Sequence, residues 1–236
     1  MGKLEGKVVV VTGASRGIGL AIARALGRED ARLVLVARNR SRLRIAARKV
    51  GGGALAIEAD VTRPADVRRL FRTVRRKHGR LDVLVNNAGV FTYKPFARTT
   101  LKDWRANIES NLTSIFLNVQ AALPLFKKSD APHLVNILSV SSLQAFANCS
   151  AYCAAKFGAM GLTRVLRREL RSHRIRVTAV LPGSTDTRMV KAFDFPLDRA
   201  KLLKPGDVAE AVLGALLQPR RAAVEEILLM PSSGAV

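Results

Sequence analysis

The stretch VVVVTGASRGIGLAIARAL, residues 8–26, decides the fold. It reads as a strand, a glycine-rich turn and a helix. Gly13, Gly17 and Gly19 stand in a G-x-x-x-G-x-G spacing. Glycine permits a tight turn and lets a phosphate approach the backbone and a helix N-terminus. A glycine pattern alone carries little weight. Its position between the first strand and the first helix is the context that a dinucleotide-binding turn requires.

Working outward, short apolar runs rich in Val, Leu and Ile recur at 7–13, 32–38, 54–60, 81–89, 133–140, 175–183 and 225–231. Their hydrophobicity is continuous rather than alternating, which suits strands buried on both faces. Helix candidates lie between them at 17–28, 40–49, 64–78, 100–128, 152–173 and 205–217. This alternation predicts an α/β fold, a doubly wound parallel seven-stranded sheet flanked by helices, the Rossmann architecture. No linker, repeat or low-complexity tract interrupts it, so residues 1–236 are expected to form one domain. The stretch 184–204 has the weakest pattern and is the candidate substrate loop.

The second strand ends in LVLVARNRSRL, where an NAD-preferring site usually places an acidic residue against the adenosine ribose. Here Ala37 carries no charge and Arg38 follows, while Arg16 lies in the glycine turn. Two guanidinium groups converging on one point favour a 2′-phosphate, and so NADP(H) over NAD.

SAYCAAKFG, residues 150–158, puts Tyr152 and Lys156 four residues apart, on one face of a helix. A free tyrosine, with a pKa of ~10, is a poor acid or base near neutrality. A fixed cation within reach lowers a neighbouring acid by ~1–3 units, which would bring a phenol into catalytic range. Cys149 and Cys153 flank the tyrosine and are the only cysteines, too few for a disulfide framework or a zinc site. They read as small, half-buried fillers, and no metal site is expected.

The 236 residues carry a formal net charge of +22, and 48% of them are hydrophobic, enough for a sizeable core. No apolar run reaches the ~18–20 residues of a membrane span. The N-terminal residues show neither a signal-peptide pattern nor a myristoylation motif, so a cytoplasmic location is expected. So strong a positive charge permits attraction to nucleic acid, anionic membranes or acidic proteins. Yet the densest basic runs, 72–80 and 164–176, interleave Val and Leu with arginine as amphipathic helices do. Few aromatic residues accompany them, so they read as a solvated basic surface rather than a nucleic-acid site.

With these residues in view, the chain resembles the short-chain dehydrogenase/reductase family over nearly its whole length. The family's cofactor pattern matches TGASRGIG, so the resemblance assigns Thr12, Gly13, Ser15, Arg16, Gly17, Ile18 and Gly19 to cofactor binding. Its adenine-side pair matches Asp60-Val61, and its strand-four pattern matches NNAG, with Asn87, Ala88 and Gly89. The motif after the sixth strand matches Pro182-Gly183, with Thr185 and Thr187 at positions near the nicotinamide. The catalytic set falls on Asn111, Ser139, Tyr152 and Lys156, Ser139 lying thirteen residues before the tyrosine. Its neighbours Ser141 and Ser142 read as polar loop groups. The implied chemistry is hydride transfer between NADP(H) and a carbonyl or alcohol. Tyr152 would act as the general acid or base, and Lys156 would lower its pKa and hold the nicotinamide ribose. Ser139 would polarise the carbonyl, and Asn111 would position a water.

Phe91, Tyr93, Leu143, Phe146, Met189, Phe193 and Phe195 are candidate walls of an apolar substrate pocket, or else ordinary core. The N-terminal half resembles 3-oxoacyl-carrier-protein reductases, whose acidic carrier a basic surface would suit. The ending VEEILLMPSSGAV departs from their usual tail and resembles broader NADP-dependent carbonyl reductases. The leading expectation is a carbonyl reductase, with 3-oxoacyl-thioester reduction as the alternative. A non-catalytic nucleotide sensor or nucleic-acid binder is the alternative of another class. The resemblance also implies a homo-oligomer, a dimer or tetramer, through the 100–128 and 152–173 helices.

Overall fold

The computed structural model describes residues 2–193 and 197–234. Seven parallel strands form one sheet: β1 (Val8–Thr12), β2 (Arg32–Ala37), β3 (Leu55–Glu58), β4 (Val83–Asn86), β5 (His133–Ile137), β6 (Arg176–Pro182) and β7 (Glu226–Leu229). Their order is β3-β2-β1-β4-β5-β6-β7. The chain winds outward from β1 in one direction and then, from β4, in the other. The crevice beyond the carboxyl ends of β1 and β4 is where such a sheet takes a ligand.

The valines of β1 show why its hydrophobicity is continuous. Val8 and Val10 pack into one core with Leu70 and Phe71 of α3 (Pro64–His78), Val119 and Phe126 of α5 (Ser114–Phe126) and Ala159 of α6 (Ser150–Glu169). Val9 and Val11 point the other way, to Ile22 and Leu26 of α1 (Gly17–Arg28), Leu43 of α2 (Arg40–Val50) and Val212 of α7 (Pro205–Leu216). Full burial of one such side chain stabilises by about 1.5–3 kcal/mol, so helices on both faces are needed to cover the strand.

One expected helix is broken. The 100–128 segment contains α4 (Leu101–Ile108), a π-helical turn at Glu109–Thr113, and then α5. The extra residue of that turn accompanies a buried Asn111, whose Nδ2 donates to the carbonyls of Val90 at 2.9 Å and Asn107 at 3.0 Å. Single π turns inside α-helices gather at functional sites. The 152–173 helix starts earlier, at Ser150, and ends in a 3₁₀ turn, Leu170–His173, closed by Arg174 at φ 57°.

The basic runs behave differently from each other. In 72–80, Arg72, Arg75 and Arg76 lie exposed on α3 opposite buried Phe71 and Val74, as an amphipathic helix requires. In 164–176, Arg164, Arg167 and Arg171 are instead ion-paired to Glu225 and Glu226. The stretch 184–204 is tied at its base by a bridge between Thr185 and Leu203. Above that bridge, Asp186 accepts from Arg199 Nε at 2.7 Å and Lys204 Nζ at 3.2 Å. Among the described residues, no helix is long and apolar enough to cross a membrane, and no cluster of His, Cys, Asp or Glu could hold a metal.

Candidate active site

At the carboxyl edge of the sheet lies a crevice of about 1040 Å³. The turn after β1 forms its floor at one end. Gly13 and Gly17 take φ values of 66° and 55°, a region other residues enter at a cost. A Cβ on Gly13 would also lie 2.8 Å from Asn87 Nδ2. Ser15, Arg16, Ile18, Arg38, Asp60, Val61, Asn87, Ala88 and Gly89 line this end as the sequence predicts.

Two expected cofactor residues sit behind the wall. Thr12 is fully buried, its Oγ1 accepting from the backbone N–H groups of Asn87 at 2.9 Å and Ala88 at 3.1 Å. Gly19 is buried where a Cβ would lie 2.4 Å from Asn87 Nδ2 and 2.6 Å from the Gly13 carbonyl oxygen. Both brace the glycine turn and the β4 loop against each other.

The other end is enclosed. Asn111, Ser139, Tyr152 and Lys156 all line it and are all buried, with Pro182, Gly183, Thr185 and Thr187 opposite. The Ser139 hydroxyl accepts from the Ser141 N–H at 3.1 Å, and Ser142 lies buried outside the lining. Lys156 Nζ donates to the Ile137 carbonyl at 3.1 Å and stands 5.6 Å from the centre of the Tyr152 ring. Burial holds the Lys156 ammonium down at about 8. Burial also drives Tyr152 up to about 12, against the opposing hydrogen bond from Ser139. The expected downward pull of Lys156 is not among the influences on the tyrosine here; desolvation of the phenolate leads them. Asn111 Oδ1 is buried without a hydrogen-bond partner among the described residues. Gly89 faces it so closely that a Cβ there would come within 2.5 Å.

Aromatic rings close the outer wall. Phe91 meets Tyr152 edge-on at 4.8 Å, and Phe193 lies 5.2 Å from Phe91 and 5.1 Å from Tyr93. Phe146 and Met189 join this wall, whereas Leu143 does not line the crevice and is exposed. Phe195 lies outside the described residues. Cys149 also lines the crevice, and burial raises its thiol to about 11.

A sequence model described as short chain dehydrogenase matches residues 7–195. The chain belongs to the short-chain dehydrogenase family. Relatives in this family include an uncharacterized oxidoreductase of Staphylococcus aureus, 36% identical over 229 residues, spanning 97% of this chain and 98% of that one. A metagenomic short-chain oxidoreductase solved in complex with NADP superposes with a TM-score of 0.86 at 36% identity, covering 98% of this chain and 99% of that one. An alcohol dehydrogenase from the archaeon Thermococcus sibiricus, complexed with 5-hydroxy-NADP, gives a TM-score of 0.89 at 31% identity, covering 96% and 97%.

Two residues of this short-chain dehydrogenase escape its sequence motifs. Arg42 of α2 and Arg188 of the 184–204 stretch line the crevice beside Arg16 and Arg38. Their nearness shows in Arg16, whose guanidinium is pushed down first by burial and then by Arg188, Arg42 and Arg38. Arg42, in the first turn of α2, lies four residues after Arg38, a closeness in sequence that could have flagged it. Arg188 comes from a distant stretch and carries no local signal.

Proposed function

We propose that this short-chain dehydrogenase is an NADP(H)-dependent carbonyl reductase with Tyr152 as proton donor. The observation that carries the reading is the two-ended crevice. Four guanidiniums surround one end, and the buried set Asn111, Ser139, Tyr152 and Lys156 forms the other. The residues present fit the dinucleotide. The glycine turn, with Gly13 and Gly17 at positive φ, leads into the N-terminus of α1, where a phosphate would meet backbone N–H groups. The arginine cluster repels itself until an anion such as a 2′-phosphate lies among its members.

The bound nicotinamide supplies the hydride. Everything else falls to the chain. A phenol lifted to about 12 stays protonated across neutral pH, the form needed to donate to a carbonyl oxygen. The Ser139 hydroxyl is positioned to hydrogen-bond the same oxygen and orient it. Lys156, anchored on the Ile137 carbonyl, presents its charge beneath the tyrosine ring and toward the nicotinamide ribose. Asn111 Oδ1 offers a free buried acceptor, suited to a water that returns a proton through Lys156. The rings of Phe91, Tyr93 and Phe193 exclude bulk water and favour an apolar carbonyl substrate. The 184–204 stretch acts as the substrate loop, bringing Thr187, Met189 and Phe193 to the crevice.

Exposed apolar side chains gather on α4, α5 and α6, among them Trp104, Phe116 and Phe157, and support a homo-oligomer through these helices. Light scattering of the purified chain tests that assembly. The test of function is NADPH oxidation over a panel with a diketone, aromatic aldehydes and an acetoacetyl thioester. Turnover of the diketone or aldehydes is expected. Preference for the thioester would move the assignment to 3-oxoacyl reduction, and tight NADPH binding without any turnover would overturn the catalytic reading.

A further inference from the structure

At the opposite edge of the sheet, the chain entering β5, β6 and β7 and the C-terminal end of α6 enclose a second cavity of about 400 Å³. It is far from the crevice. Arg176 and Pro182 bound β6, and at ~3.3 Å per residue they lie about 20 Å apart. Tyr152 and Arg167 are separated by a similar ~22 Å along α6, at ~1.5 Å per residue.

The lining is cationic. Five guanidiniums, from Arg167, Arg171, Arg174, Arg176 and Arg220, face two carboxylates, from Asp130 and Glu225, and outside the lining Glu226 also pairs with Arg167 at 3.2 Å, so positive charge stays in excess. Glu225 is already engaged, accepting from Arg167 at 3.3 Å and Arg171 at 3.1 Å. Arg176 is fixed in the wall, its Nη1 donating to the carbonyls of Gln218 at 3.1 Å and Ala222 at 3.4 Å. Burial and the nearby Arg220 both disfavour its charge. The side chains of Arg174 and Arg220 have no hydrogen-bond or ion-pair partner among the described residues. Arg167 Nε is buried and equally unpartnered. Arg174, which closes the 3₁₀ turn after α6, holds a left-handed φ of 57°. Ile175 and Val177 supply an apolar part of the lining.

We infer that this cavity is a binding site for a small polyanion, a phosphate ester bearing a second anionic group. A small polyanion matches the excess positive charge, and arginine forks suit phosphate and carboxylate oxygens. The concave shape and the apolar lining fit a small organic anion better than the convex backbone of a duplex.

The test is calorimetric titration of the full chain, held with saturating NADP⁺ so that the crevice is taken, at physiological ionic strength. The probe is 3-phosphoglycerate, with sulfate as control. One site per chain is expected, with a Kd at or below about 1 mM. Arg174→Glu combined with Arg220→Glu should weaken the probe by at least about ten-fold, while NADP⁺ affinity and turnover stay unchanged. Both side chains are exposed, so the fold should tolerate the change, and Arg220→Ala alone should give a smaller loss in the same direction. Failure to bind at about 10 mM, equal affinity for sulfate, or an unaltered Kd in the double variant would each overturn the site. So would displacement of the probe by a DNA duplex, which would make this face a nucleic-acid surface.

Discussion

The two ends of the crevice treat charge in opposite ways. At the glycine turn, Arg16, Arg38, Arg42 and Arg188 lie together, exposed, with Arg16 pushed down first by burial and then by its three neighbours. At the reactive end, one ammonium, Lys156, is buried against an apolar wall and pushed down to about 8 by burial alone. The exposed end can hold four cations because water screens them, and their summed field draws in an anion. The buried end can hold only one, and there burial rather than a partner charge sets the proton chemistry. Affinity and proton transfer are therefore built from separate residues and should respond separately to substitution.

The sharpest break between the ends should come from Tyr152→Phe. It removes the proposed proton donor and nothing from the arginine cluster. Turnover should fall by about 10²–10⁴-fold with NADPH affinity retained. Steady-state kinetics beside a binding titration checks this, and a variant keeping most of its activity would remove Tyr152 from the role.

Arg38→Asp probes the other end. It deletes one cation of the cluster and adds an acid that suits a free ribose hydroxyl. The Kd for NADPH should rise about 10–100-fold, while that for NADH changes little or improves. Equal losses for both cofactors would mean that Arg38 does not meet a 2′-phosphate.

A smaller effect concerns the buried ammonium. Lys156 has a folded value of about 8 against an ordinary 10.5. Between those values the unfolded chain binds more protons than the folded one, so this residue adds stability as pH rises through the window. Tyr152 acts in the opposite sense and at higher pH, from 10.0 to about 12, where stability is lost as pH rises. Comparing wild type with Lys156→Met by denaturant melts near pH 7 and near pH 9.5, the wild type should gain about 1–2 kcal/mol on the variant. A constant gap would mean that Lys156 is not desolvated as its burial implies.

The smallest effect should be Cys149→Ser. Its thiol, raised to about 11, is almost wholly protonated at neutral pH and should resist alkylation. Turnover within about two-fold of wild type is expected. Rapid inactivation of the wild type by iodoacetamide, abolished in the variant, would show that the thiol is reactive.

How much of this was legible before folding depends on how local each signal is. All seven strands fall inside the apolar runs; the central β1, β4 and β5 are buried at every position, while the edge strands β3 and β7 are only partly covered. The glycine turn and the pair Tyr152 and Lys156 were legible for the same reason, since fixed spacing on a known element is written into neighbouring residues. The break of the 100–128 helix at Glu109–Thr113 was not, because nothing near Asn111 reports that its amide will reach the Val90 carbonyl. That Thr12 and Gly19 brace the glycine turn against the β4 loop becomes visible only once Asn87 is packed against them.

The amino-acid sequence by itself determined the parallel sheet, the glycine turn and the placing of Tyr152 and Lys156 on one helix face, since hydrophobic period and short-range spacing act along the chain. Only the tertiary structure decided that Arg188 joins Arg16, that Tyr152 is raised rather than lowered, and that five arginines meet at the far edge of the sheet. Those outcomes depend on desolvation and on charges brought together from distant segments, and both exist only after the chain has folded.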